Sequence, residues 1–172
     1  MSIYISENAF ISLTLSAIET SIVCEANGIL LGYIVKNRNK NRYFIENAIP
    51  YQLADRTETS SKILEKRRKR LYRVFLNYTK YDIIGEYHTH PNGTTQLSNA
   101  DKEFIKTSGY NLEIVISITK DGNTKIDNWR YKNNTLLGNI DKYNIQIAGW
   151  QVTNVLVKHI IRCPYAVGFS ND

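Results

Sequence analysis

Apolar and polar positions change period several times along this 172-residue chain. Ser2 to Ser6 reads as a short first strand. From about Glu7 to Thr20, Phe10, Leu13, Ala17 and Ile18 recur at helical spacing behind the capping residues Ser6, Glu7 and Asn8, which predicts a helix. Ser21 to Val35 alternates and then runs apolar, the pattern of two adjacent strand pieces around Asn27-Gly28. A polar, basic turn at Asn37 to Asn41 leads to a strand over Arg42 to Ile49, stopped at Pro50. A helix is predicted from about Thr59 to Tyr78, with Ile63, Leu64, Leu71, Phe75 and Leu76 toward the core. Next come a strand from Ile83 to Tyr87, a break at Pro91-Asn92-Gly93 and a helix opening over Leu97 to Asp101. Leu112 to Thr119 is a strong strand, and Asp121-Gly122 predicts a hairpin into Thr124 to Tyr131. A strand near Tyr143 to Ile147 completes the sheet. Trp150 to Arg162, with Val152, Val155, Leu156 and Ile160 apolar, predicts a closing helix ended by Pro164. Strands and helices mix without regular alternation, so the expectation is an α+β domain spanning 1–172: one mostly antiparallel sheet flanked by helices.

Composition narrows the class. A hydrophobic share of 42% in this length suffices for one real core. No apolar run approaches the roughly eighteen residues of a membrane span. The opening MSIYISENAF lacks the basic and apolar regions of a signal peptide. Cys24 and Cys163 stand far apart and form no metal or redox motif, as expected of free thiols in a reducing compartment. A soluble cytoplasmic protein is expected. The net charge of +6 is unevenly spread, with Lys66-Arg67-Arg68-Lys69-Arg70 in one helix. Aromatic residues do not interleave this run, so a solvated helix face is expected there and nucleic acid is not an expected partner.

The candidate chemistry sits between Ile83 and Phe104. His88 and His90, at i and i+2 on a strand, leave it on the same face and can converge on one point. Asp101, on the following helix, can be brought back toward them. Two imidazoles and a carboxylate leave a fourth coordination position open, as a catalytic rather than a structural zinc site does. Non-haem iron centres share that ligand set. Ser98 and Asp101 also fit a capping box, which alone would explain both residues at a helix start.

A second motif lies upstream at Glu25-Ala26-Asn27-Gly28-Ile29-Leu30-Leu31-Gly32. Together with His88-Thr89-His90-Pro91, six residues, and Ser98-Asn99-Ala100-Asp101, it resembles the JAMM (MPN-plus, JAB) metallopeptidases, whose signature is E-x-x-G-x-L-x-G followed downstream by H-x-H-P-x6-S-x-x-D. The lead-in Ile84-Gly85-Glu86-Tyr87 is similar as well, while Thr89 stands where the family usually has serine. The resemblance covers roughly residues 1 to 149. It implies a cytidine-deaminase-like MPN/JAB domain, a curled sheet between helices, with 150–172 as a closing helix and tail. It also implies Zn2+ held by His88, His90 and Asp101, Glu25 as general base, and Ser98 as a donor to the oxyanion of the tetrahedral intermediate. The implied substrate is the C-terminal tail of a ubiquitin-like or sulfur-carrier protein, conjugated or in precursor form. Stand-alone bacterial JAB peptidases of this size accompany E1- and E2-like enzymes of ubiquitin-like conjugation systems, antiviral operons included, so those enzymes are implied partners. Two rival readings are a non-catalytic MPN scaffold and a nucleic-acid-associated JAB domain using the Lys66–Arg70 helix.

Overall fold

The computed structural model describes residues 2–20, 23–37, 40–52, 54–57, 60–110, 112–120, 129–152 and 156–168. The elements in chain order are β1 (Ser2–Ile5), α1 (Glu7–Thr20), β2 (Asn27–Asn37), β3 (Lys40–Pro50), β4 (Asp55–Thr57), β5 (Ser60–Lys62), α2 (Glu65–Tyr78) and β6 (Asp82–Pro91). There follow α3 (Asn99–Ser108), β7 (Leu112–Lys120), β8 (Arg130–Lys132), β9 (Thr135–Ile140), β10 (Tyr143–Val152), β11 (Leu156–Arg162) and α4 (Pro164–Val167).

Seven strands close into a ring in the order β11-β1-β3-β2-β6-β7-β10, with β10 returning to β11. Three neighbouring pairs are parallel: β1 with β11, β1 with β3, and β6 with β7. The remaining pairs of the ring are antiparallel. This corrects the expected architecture. The molecule is a closed mixed barrel, not the open, mostly antiparallel curled MPN/JAB-type sheet between helices. The reason lies in the stretch expected to be a closing helix. Trp150 to Val152 continue β10, and Leu156–Arg162 is the strand β11 that seals the seam against β1 and β10. Its apolar positions fit a helical stripe, but the β-branched Val157, Ile160 and Ile161 also suit a strand, and the edge of β1 decides. The predicted long helix is likewise split, into β5 and α2. The hairpin expected at Asp121-Gly122 lies outside the described residues, apart from its last part, which contributes to β8. That strand pairs with β9, which the hydrophobic pattern did not reveal.

Strand alternation divides the wall into two faces. Inward side chains include Ile3, Ile5, Tyr43, Ile45, Tyr87, Ile114, Ile116, Ile118, Ile145, Ile147 and Ile161, all buried in one cluster. Helix α1 lays Ala9, Phe10, Leu13 and Ala17 onto this cluster, and its Ser6 hydroxyl caps it by accepting from Ala9 N at 3.2 Å. Each such fully buried aliphatic or aromatic side chain contributes about 1.5–3 kcal/mol. Two patches of the outer face are covered. α2 and its approach bring Ile63, Leu71 and Phe75 over Ile29, Leu31 and Tyr51, while α3 packs Ile105 with Leu97 over Val115. The glycines of the upstream motif belong to this geometry. A Cβ on Gly28 would lie 2.2 Å from the Ile49 carbonyl oxygen, and one on Gly32 only 1.8 Å from that of Phe44. They let β2 press against β3 and carry Glu25 to the outer face of β6.

Candidate metal centre

Between α2 and α3, β6 presents Glu86, His88 and His90 outward, while Tyr87 and Thr89 point into the barrel. The Pro91-Asn92-Gly93 break ends the strand, with Asn92 in the left-handed region at φ 52. The chain then returns so that α3 begins beside the histidines. His88 Nε2 and His90 Nε2 lie 3.0 Å apart, and Asp101 sets Oδ1 3.6 Å from the first and Oδ2 3.4 Å from the second. The three ligand atoms fall within 4.8 Å of one another. These are the residues the sequence singled out, brought to one point.

The outer nitrogens fix the rings. His90 Nδ1 is 2.7 Å from the Thr94 carbonyl oxygen, which can only accept, so that nitrogen carries the proton. His88 Nδ1 is 2.7 Å from Glu113 Oε1 on β7. In the neutral rings both Nε2 lone pairs therefore aim at the space shared with the Asp101 carboxylate. Such an electron-rich convergence suits a cation, and nitrogen–nitrogen–carboxylate donors with carboxylate and carbonyl partners behind them suit zinc. The donor set could hold a divalent metal ion, zinc among them. The surroundings favour positive charge at this point, be it a proton on His88 or a bound cation. Burial by itself would depress His88, yet the Asp101 and Glu113 carboxylates outweigh it and leave it raised to about 10. Burial would raise Asp101, but the two imidazoles hold it far below the usual carboxylate range. Burial raises Glu113, with His88 opposing.

Glu25 is delivered by a clamp on the far side of the histidine strand. Ala26 N donates to Thr89 Oγ1 at 2.7 Å, and Thr89 N returns a bond to Ala26 O at 2.8 Å. Glu25 N also donates to Thr57 O at 2.8 Å. The threonine between the two histidines thus fastens the residue next to Glu25. Burial raises the Glu25 carboxyl, while His88 and His90 pull it down. Ser98 caps α3: its Oγ accepts from Asp101 N at 3.1 Å, and Ser98 N donates to Asp101 Oδ2 at 2.7 Å. The capping reading of these two residues and the ligand reading of Asp101 hold together, because the cap presents the carboxylate to the histidines. With its acceptor role spent on the cap, the Ser98 hydroxyl hydrogen can still be donated.

One cavity of about 350 Å³ is lined by Glu25, His88, Ser98 and Asp101 together with Tyr51, Ile63, Arg68, Glu86 and Phe104. Sequence reasoning missed several of these. Glu113, buried beside His88, carries one visible signal: it is the lone charge in the apolar run LEIVISIT. Arg68 belongs to the basic run, whose neighbours Lys66, Arg67, Lys69 and Arg70 are exposed as expected, but it turns inward. Glu86 faces outward with the histidines, yet engages Tyr51, Tyr72 and Arg68 rather than the candidate centre. His159 lies away from the site on β11, bonded to Gln151 Oε1 at 3.0 Å.

Fold and site define a closed seven-stranded mixed barrel with a His-His-carboxylate cluster on its outer wall. No family model and no curated protein matches the sequence. Among solved structures, the chain is similar to the solution structure of protein DSY2949 from Desulfitobacterium hafniense, a structural-genomics target. The TM-score is 0.59 at 12% identity, covering 94% of this chain and 92% of that one. At that identity the likeness shows the fold. Among the described residues no helix is long and apolar enough to cross a membrane.

Proposed function

We propose that the chain is a zinc-dependent peptidase or isopeptidase of the cytoplasm, acting after the C-terminal tail of a ubiquitin-like or sulfur-carrier protein. The substrate class follows from the motif resemblance. The observation that supports hydrolysis is the convergence of both Nε2 atoms and Asp101 on one point, beside Glu25 in the same cavity. The reading rests on the site and the motifs, since the barrel departs from the sheet that the resemblance implied.

His88, His90 and Asp101 would hold the zinc. When bound, zinc supplies Lewis acidity toward a carbonyl and lowers the pKa of a water toward roughly 7. Glu113 and the Thr94 carbonyl hold the imidazoles in the orientation that presents Nε2. Glu25, half-buried and clamped through Ala26, takes a proton at its carboxylate and delivers it to the departing amine. Ser98 donates its hydroxyl hydrogen to the developing oxyanion, a contribution of about 2.7–4 kcal/mol in comparable sites. Residues of α2 and α3 line the cavity.

Elemental mass spectrometry of wild type and His88→Ala tests the first half of the reading, with about one zinc per chain expected in the former alone. Fusions of ubiquitin-like proteins, incubated with zinc-loaded wild type and with Glu25→Gln, test the second. Cleavage after the tail by wild type only is expected. Absence of zinc after metal is supplied would overturn the proposal, and a zinc-loaded but inert protein would point to a scaffold.

A further inference from the structure

The cavity also holds a group that hydrolysis does not use. Arg68, from the first turn of α2, reaches toward Phe104 on α3. Its guanidinium carbon lies 5.7 Å from the centre of the Tyr72 ring and 5.9 Å from that of Phe104. The side chain is only 13% exposed. Nε donates to Glu65 Oε2 at 2.9 Å. Nη1 is buried and within 3.5 Å of Glu86 Oε1, yet it has no hydrogen-bond partner among the described residues. Glu86 Oε1 is already taken by two hydroxyl donors, Tyr51 at 2.9 Å and Tyr72. Buried guanidinium hydrogens find acceptors in nearly all proteins, so this unspent one, on a residue that lines the cavity, is a candidate donor to a ligand oxygen.

The surroundings select the kind of oxygen. Glu65 and Glu86 set two carboxylates against one guanidinium, and Glu25, Asp101 and Glu113 line the same cavity. A further carboxylate or phosphate would meet excess negative charge. A neutral carbonyl would not. Ile63 and Phe104 add apolar walls suited to a chain without charged side chains. We propose that Arg68 is a specificity-determining residue, whose Nη1 takes a main-chain carbonyl oxygen of an extended, uncharged peptide segment lying between α2 and α3. This rests on the peptidase reading, because the segment is the part of the substrate leading to the scissile bond.

The test uses hydroxamates, which bind zinc through their own head group and carry a chosen tail. Calorimetry on the zinc-loaded protein compares acetohydroxamic acid with N-acetyl glycyl, diglycyl and triglycyl hydroxamates, in wild type and Arg68→Met. One tail length in the series should bind wild type about tenfold or more tighter than acetohydroxamic acid, the size expected for a hydrogen bond to a charged donor. In Arg68→Met that gain should vanish, while acetohydroxamic acid binds unchanged and so reports an intact site. An alkyl hydroxamate of matched length, lacking the carbonyl, gains only what contact with Ile63 and Phe104 gives and should bind wild type about tenfold more weakly than the best glycyl tail, which keeps the test decisive if the variant does not fold. A gain that survives in Arg68→Met, or that the alkyl tail reproduces, would overturn the assignment of Arg68 and leave the metal reading standing. Failure of acetohydroxamic acid to bind zinc-supplied wild type would overturn the metal reading, and this inference with it.

Discussion

Removing the carboxylate behind His88 isolates what orientation contributes to the candidate centre. In Glu113→Ala the partner of His88 Nδ1, now at 2.7 Å, is gone, and the site is too enclosed for water to replace it fully, since Glu113 is only 4% exposed. The ring then loses both the anchor that sets its rotation and the charge that favours a proton on Nδ1 and a lone pair on Nε2. Loss of such a partner weakens zinc binding by about 10- to 100-fold, or roughly 1.4–2.8 kcal/mol. Glu113→Gln, which keeps an acceptor oxygen but no charge, should lie at the shallow end of that range. The control is built into the wall. Glu86 is the register neighbour of Glu113 on β6, with a carboxylate on the same face, but it is bonded to tyrosines rather than to an imidazole. Glu86→Gln should therefore leave zinc affinity nearly unchanged. Competition against a chromophoric chelator at fixed pH and salt measures all three variants. An affinity for folded Glu113→Ala within about twofold of wild type would refute the orienting role. Equal weakening in Glu86→Gln would show that diffuse charge, not the hydrogen bond, matters.

Thr89→Val keeps the shape but removes the acceptor of Ala26 N; thermal unfolding should show a loss of about 1–3 kcal/mol, largely restored in Thr89→Ser. Ser98→Ala removes the cap of α3 and should cost about 1 kcal/mol in denaturant titrations. If the protein cleaves as proposed, the same variant should retain its zinc and lose roughly 100- to 1,000-fold in kcat. Burial raises the Cys163 thiol to about 11, so at pH 8 iodoacetamide should label half-buried Cys24 first and reach Cys163 only on unfolding. Equal labelling rates in the native state would contradict the burial of Cys163.

The candidate site was more legible in the sequence than the fold was. His88, His90, Ser98 and Asp101 are joined by local rules, strand alternation and helix capping, and both act over a few residues. α1 and β7 were also readable, because their periodic patterns are long. Glu113 was not. It meets His88 through a parallel strand pairing, which brings together residues 25 apart in sequence and leaves no local trace. The closing strand β11 was misread because four apolar residues in 150–162 satisfy a helical stripe, and the competing partner, β1, stands at the far end of the chain. Arg68 was hidden among like charges. A run of five cations does not say which one turns inward. That depended on where β6 placed Glu86.

The β1–β11 seam has a consequence for how the molecule is made. Ser2 pairs with Ile160 and Tyr4 with Arg162, so nearly all of the sequence lies between the two strands that lock the ring. Closing a loop of that length carries a large entropic toll, and contacts of this separation slow folding. On a ribosome the strand bearing His88 and His90 emerges long before the last stave. During that interval β1 has an open edge and the inner isoleucines have no complete wall. The nascent protein is at its stickiest then, and chaperone dependence should track the time needed to complete β11.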